Sequence, residues 1–140
     1  MKILGIDYGD SRTGVAISDE SEFLSSGVCV IFERDIDKVA SKICEIAKEN
    51  NSKKIVLGLP KNMDGTLGFR AQKTTLLKEK LEKLLDDTKI IFFDERLSTV
   101  EASYYMNQTN TRGKKRKNSI DELAAKIILQ SYLDSKKHDF

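Results

Sequence analysis

Asp7 closes the apolar run Lys2-Ile3-Leu4-Gly5-Ile6, and Tyr8-Gly9-Asp10-Ser11-Arg12-Thr13-Gly14-Val15-Ala16-Ile17-Ser18 follows it. An acid is a poor strand former, and burying a carboxylate without a partner is costly. A buried strand that ends in Asp and doubles back through a Gly-flanked turn therefore asks for a metal ion, or for a phosphate held through one. Two further acids stand in comparable places. Glu95 lies just beyond the apolar run Ile90-Ile91-Phe92-Phe93, and Asp121 falls in Ser119-Ile120-Asp121-Glu122, which has capping-box spacing. Ligand sites in open α/β sheets gather at the carboxyl ends of the parallel strands. If Asp7 and Glu95 lie on neighbouring strands, a last helix can bring Asp121 against them. Three converging carboxylates repel one another without a cation, and oxygen-only ligands select hard ions, Mg²⁺ or Mn²⁺, over zinc. Two such ions ~3.5–4 Å apart clamp both oxygens of an in-line phosphoryl displacement.

Each acid also has a purely structural reading. Asp121 would be favoured by the dipole of any helix that starts at Ser119. Glu95 could pair with Arg96 or a surface lysine. Asp94 competes with Glu95 for the inward position, because adjacent residues of an extended segment face opposite ways. Asp10 and Asp19 lie in or near turns, where Asp is common. Asp7 is the strongest single case, and only the set carries weight.

The remaining composition narrows the chemistry. The single histidine, His138, lies in the terminal Ser-Lys-Lys-His-Asp-Phe, a poor setting for a catalytic base. Hydrolysis would have to run on carboxylates, lysine or metal-activated water. Cys29 and Cys44 form no C-x-x-C pair, so buried reduced thiols are expected rather than a disulfide or a zinc site. With 140 residues, 39% apolar and 33% charged, the chain fits one soluble domain spanning 1–140. No apolar run approaches the ~20 residues of a membrane span, and Met-Lys leads straight into a strand with no signal-peptide core, so a cytoplasmic location away from membranes is expected.

Net charge is only +2, but its distribution is uneven: Arg112-Gly113-Lys114-Lys115-Arg116-Lys117 places five cations in six residues. Such a run is either a solvated surface loop or a grip on a phosphate backbone. Residues 108–118 are polar, basic and without periodicity, so a mobile basic loop is expected there.

Residues 2–8 and 13–19 read as a hairpin, and Gly27-Val28-Cys29-Val30-Ile31-Phe32 as a third strand. Ile36, Val39, Ala40, Ile43, Ile46 and Ala47 recur at helical spacing behind Asp35 as N-cap, ending at Asn50-Asn51-Ser52. Ile55-Val56-Leu57-Gly58-Leu59 reads as a strand covered on both faces, stopped by Pro60, the only proline. After a loop at 61–66 comes a helix with Thr74, Leu77, Leu81, Leu84 and Leu85 on one side, and then the strand at 90–93. Ser98-Thr99-Val100-Glu101 predicts a helix to about Asn107, and Ser119 the start of a last helix with Ile120, Leu123, Ala124, Ile127 and Ile128 facing the core. The order β-β-β-α-β-α-β-α-α predicts an α/β fold: a mixed five-stranded sheet with antiparallel leading strands and helices on both faces.

Four motifs in order then resemble one family. They are Gly5-Ile6-Asp7-Tyr8-Gly9 with Arg12-Thr13-Gly14-Val15-Ala16; Gly58-Leu59-Pro60 with Asp64-Gly65-Thr66; Asp94-Glu95-Arg96-Leu97-Ser98-Thr99 with Glu101-Ala102; and Ile120-Asp121-Glu122-Leu123-Ala124-Ala125 with Ile128-Leu129-Gln130. Together they resemble the YqgF family, bacterial pre-16S rRNA nucleases also described as Holliday-junction-resolvase-like. The resemblance spans most of the chain and implies a ribonuclease-H-like fold related to the RuvC resolvases. It also implies an acidic metal site with Asp7, Glu95 and Asp121 as its three catalytic and metal-binding carboxylates, where the two-ion arrangement above is expected, and a role in processing the 5′ end of the small-subunit rRNA precursor.

On that basis the expected activity is metal-dependent cleavage of structured RNA, with Mg²⁺ or Mn²⁺ as cofactor. Arg12, Lys61 and Arg96 are candidate phosphate contacts, and Arg112, Lys114, Lys115, Arg116 and Lys117 would bind the backbone by charge. The chain is expected as a monomer or weak homodimer. The same chemistry on branched DNA is the alternative, and a non-catalytic nucleic-acid-binding or transcription factor is a competitor of another class. A sugar-kinase or actin-like reading of Gly5-x-Asp7-x-Gly9 fails on length, since that fold needs a second large domain to enclose nucleotide.

Overall fold

The computed structural model describes residues 1–61, 64–97 and 114–137, with side chains described up to Leu97 and from 122 to 136. Its elements are β1 (Ile3–Asp7), β2 (Arg12–Ser18), β3 (Ser25–Phe32), α1 (Ile36–Glu49), β4 (Lys54–Leu59), α2 (Phe69–Leu84), β5 (Lys89–Asp94), a 3₁₀ turn (Glu95–Leu97) and α3 (Lys114–Lys137). The sheet order is β3-β2-β1-β4-β5. β1 pairs antiparallel with β2, and β2 with β3; β1–β4 and β4–β5 are parallel. The mixed five-stranded sheet expected from the sequence is present.

Strand alternation divides the core between two layers. Leu4, Ile6, Val15, Ile31, Ile55, Leu57 and Ile90 turn to one face and pack with Val39, Ile43 and Ala47 of α1 and Leu77 and Leu81 of α2. Ile3, Ala16, Val56 and Phe93 turn to the other and pack with Ala125, Ile128, Leu129 and Leu133 of α3. Helix α1 starts where expected: the Asp35 carboxylate accepts from the Asp37 amide at 2.9 Å. Leu84, expected in the core, is half exposed on the last turn of α2, and Leu85 fills the inward place. Cys29 and Cys44 are free thiols, both raised in pKa by burial.

Helix α3 departs from expectation. It begins at Lys114 rather than Ser119, so residues 114–118 of the expected basic loop are helical and Asp121 lies beyond the first turn. Lysine and arginine are good helix formers and need no apolar stripe to continue a helix anchored downstream. The expected helix at 98–107 and residues 108–113 lie outside the described residues, as does His138.

Two features hold α3 on the sheet. Gln130, 8% exposed, accepts from the Ser25 amide at 3.0 Å and donates to the Phe23 carbonyl at 2.9 Å and to Asp134 at 3.0 Å. The sheet face is also pared down under the helix: a Cβ at Gly5 would lie 2.6 Å from Leu129 Cβ and 3.3 Å from the Ala125 carbonyl oxygen. Gly5→Ala should therefore cost roughly 1–3 kcal/mol in urea unfolding. Gly27→Ala should cost less, because the nearest obstacle there is the flexible Glu122 carboxylate, 2.9 Å away.

Candidate active site

Asp7 is the last residue of β1 and shares the α3-facing side of the sheet with Ile3 and Gly5, four and two residues back. Glu95 is one residue beyond β5. Phe93 faces α3, so Asp94 turns to the opposite face and Glu95 returns to that of Asp7. Their strands are not neighbours, contrary to the condition set from sequence: β4 lies between them. The gap is bridged over Gly58, which has no side chain to stand in the way. A Cβ there would come within 2.8 Å of Glu95 Oε1 and 2.5 Å of Ile128 Cδ1. Glu95 thus crosses β4 and hydrogen-bonds to the Asp7 carboxyl.

The pair opens into a cleft of about 310 Å³ lined by Asp7, Glu95, Arg70, Ala124, Ile127 and Ile128. Burial raises the Glu95 pKa most, and the neighbouring Asp7 charge and their shared hydrogen bond raise it further, to about 7; the Arg70 guanidinium opposes them. Two carboxyls this close share a proton unless something positive takes its place. Ala124 and Ile128 line the cleft, and Asp121 lies three and seven residues before them. It therefore occupies the matching register position of that helix face, one turn outward. The Asp121 side chain lies outside the described set, and among the described residues no group of three acidic, His or Cys ligands converges.

Asp94 is drawn into a different cluster. Arg96 donates to it from Nη2 at 2.7 Å and from Nε at 3.1 Å, and Lys61 lies at 4.0 Å. The Arg96 hydrogen bonds hold the Asp94 carboxyl below its usual range. Lys61 and Arg96, expected as phosphate contacts, are thus gathered on Asp94 rather than on the acid pair. Arg12 opens β2, and its guanidinium lies 5.9 Å from the centre of the Phe32 ring. Lys114, Lys115, Arg116 and Lys117 belong to the start of α3, where only the backbone is described, and Arg112 lies outside the described residues.

Arg70 is not singled out by the sequence reading. It lies in the first turn of α2, which holds no acid, and reaches the Tyr8 carbonyl at 3.5 Å. A cation at a helix N-terminus opposes the helix dipole. An arginine placed there, beside Gly68 as a cap without a side-chain hydrogen bond, is the signal that could have drawn attention to it.

With this geometry in view, the comparisons with known proteins are specific. The family model of RuvX, described as Holliday junction resolvase, matches residues 1–135. The chain belongs to the RuvX family. This is the YqgF family whose motifs the sequence resembles. A relative from Caldanaerobacter subterraneus subsp. tengcongensis is 44% identical over 140 residues, covering 99% of both chains. One from Halothermothrix orenii is 45% identical over 134 residues, covering 96% of this chain and 95% of its own. Both carry the name "Putative pre-16S rRNA nuclease". Among solved structures, Thermus thermophilus RuvC matches with a TM-score of 0.64 at 9% identity, covering 97% of both chains. The Fowlpox virus resolvase in complex with Holliday junction DNA matches at 0.57 and 15%, covering 97% of this chain and 99% of that one. These likenesses establish the ribonuclease-H-like fold of the RuvC resolvases for this RuvX-family chain. No helix among its described residues is long and apolar enough to cross a membrane.

The acid pair has a measurable signature. In the folded protein Glu95 keeps its proton to about pH 7, whereas unfolded it loses it near 4.5. The folded state therefore binds more protons between these values, so this contribution is full below about 4.5 and is lost as pH rises to about 7. Melting temperature without added divalent cation should fall across that window, reflecting on the order of 2–3 kcal/mol. Glu95→Gln should flatten the fall; an unchanged slope in that variant would show that Glu95 is not its source.

Proposed function

We propose that this protein is a metal-dependent nuclease that trims the 5′ end of the small-subunit rRNA precursor. One observation carries the proposal: two carboxyls, one ending β1 and one just past β5, hydrogen-bonded in a cleft lined by an arginine at the carboxyl ends of the parallel strands. The names of the curated relatives supply the substrate class.

The carboxyl pair fits a hard divalent cation, Mg²⁺ or Mn²⁺. Its donors are all oxygen, and the Glu95 pKa is raised first by burial and then by the neighbouring Asp7 carboxylate, so a cation between the two would relieve both. Asp7 and Glu95 would hold the cation, with Asp121 as the third carboxylate that a two-ion site requires. When bound, such ions supply Lewis acidity at phosphorus and lower the pKa of water.

The protein's own groups do the rest. Asp7 and Glu95 fix where charge is neutralised, and Gly58 leaves Glu95 the room to get there. Arg70 enters the cleft from α2 and faces the non-bridging oxygens of the scissile phosphate, where charge accumulates as the bond breaks. The apolar wall of Ala124, Ile127 and Ile128 limits water on the α3 side. Lys114, Lys115, Arg116 and Lys117, with Arg112 before them, bind the RNA backbone by charge, largely without regard to sequence. Arg12 contributes a phosphate contact at the head of β2, while Lys61 and Arg96 are held on Asp94 and offer their contacts from that cluster.

The test compares wild type with Asp7→Asn on a precursor rRNA fragment and on a four-way DNA junction, in Mg²⁺ or Mn²⁺. Asp7→Asn should lose several kcal/mol of charge stabilisation, about a thousandfold in rate, while melting as a folded protein. Cleavage of the junction alone would replace RNA with branched DNA as substrate, and equal binding without cleavage by either protein would leave a non-catalytic factor. Two further variants separate the parts. Arg70→Ala should lower kcat/KM about a hundredfold, with Arg70→Lys recovering part of it, and Gly58→Ala should depress cleavage by displacing Glu95. Neutralising Lys114, Lys115, Arg116 and Lys117 together should weaken RNA binding and flatten its salt dependence; unchanged affinity at low salt would remove these residues from the interface.

A further inference from the structure

Phe32 is the last residue of edge strand β3, and its side chain is 55% exposed. The strand pairings fix which way it faces. Asp7 lies opposite Gly14, and Gly14 opposite Val30, so the three share one side of the sheet. Arg12 and Phe32, themselves a directly opposed pair, are two residues further along and therefore on that same side. They also stand at the end of the sheet where β1 releases Asp7. Two strand spacings and one two-residue step put Phe32 on the order of 12 Å from Asp7. Their side chains are matched as well: the Arg12 guanidinium sits 5.9 Å from the centre of the Phe32 ring.

An exposed aromatic ring costs solvation and is not needed by the core, which takes Cys29 and Ile31 from the same strand on the other face. A ring of this kind beside a guanidinium suits one ligand well: an unpaired nucleobase stacks on the ring while the cation meets the adjoining phosphate. From this we infer that Phe32 and Arg12 form a base-stacking shelf. It takes a single-stranded nucleic-acid segment a few nucleotides from the phosphate held at Asp7 and Glu95. The inference rests on the nuclease reading for its polymer, and on strand register and ring exposure for its place. A paired duplex cannot use the shelf, because its bases are already stacked; the shelf therefore selects substrates whose strand is open beside the cut.

The chain contains no tryptophan, so Phe32→Trp introduces a single reporter at the shelf, and Phe23→Trp introduces one in the exposed turn at the other end of the β2–β3 hairpin. Each is titrated, in EDTA to prevent cleavage, with a short single-stranded RNA and with the same sequence as a blunt duplex. The single strand should quench the indole at position 32 and leave that at position 23 unchanged, and the duplex should quench neither. By fluorescence anisotropy with labelled RNA, Phe32→Ala should bind the single strand about five- to a hundredfold more weakly, the range for loss of one base–aromatic stack. Phe32→Tyr should bind as wild type does. No quenching at position 32 by saturating single strand, equal quenching by the duplex, or unchanged affinity in Phe32→Ala would overturn the shelf, even if wild type cleaves precursor rRNA. Quenching at position 32 with no cleavage by wild type in Mg²⁺ would keep the shelf and overturn the nuclease reading instead.

Discussion

Helix α3 lies so close to the sheet that a methyl group at Gly5 or Gly58 would run into its side chains, at 2.6 Å from Leu129 and 2.5 Å from Ile128. One wall of the candidate site and the path of Glu95 follow from that close approach. It brings Ala124, Ile127 and Ile128 over the ends of β1 and β4, making one wall of the cleft. It also requires a bare backbone at Gly58, and the same vacancy lets Glu95 reach across a whole strand to Asp7. One glycine thus serves packing and chemistry together. A larger residue at Gly58 would damage both, which separates it from Gly5, where only packing is at stake.

The fold was legible in the sequence wherever burial imposed a pattern. The continuous apolar runs at 55–59 and 90–93 became the parallel pair β4 and β5, and the 3.6-residue period at 36–47 became α1, because water exclusion acts on every residue of such segments. What burial does not control was less legible. The start of α3 carries charge rather than an apolar stripe, so it resembled a loop, and the capping spacing at Ser119 marked a boundary that the helix runs through. Leu84 fitted the helical period but sits where α2 leaves the core, and an end residue can face either way.

The site was legible in part. Asp7 could be picked out because an acid ending a buried strand conflicts with local preference, and such conflicts gather at functional positions. Choosing between Asp94 and Glu95 needed the parity of β5 carried one residue past its end, and parity needs to know which face of the sheet α3 covers. The relation of β1 to β5 was beyond local reasoning: parallel strands are ordered by their crossovers, and the strand inserted between them comes from 47 residues downstream of Asp7, beginning at Lys54. Arg70 was missed for a related reason. Its place beside the acids comes from how α2 returns over the sheet; the local signal, a cation in an acid-free first turn, marks it as unusual but does not say what it faces.

The acid pair is also a local liability that the fold maintains. Burial and the proximity of Asp7 make Glu95 hold a proton to about pH 7. Arg70 relieves this only in part: it stands in the same cleft, yet Glu95 remains raised. A closer ion pair would quiet the carboxyls and also occupy the oxygens that a cation needs. The partial compensation is therefore informative. A site built for stability alone would neutralise its acids with the nearest cations, as Asp94 is neutralised by Arg96 and Lys61 a residue away. Here the two solutions lie side by side on one strand end: Asp94 paired with cations and turned to one face, and Glu95 buried against a second carboxyl on the other, with Arg70 compensating only in part. That contrast, more than either carboxylate by itself, marks the α3 face as the one prepared for a ligand.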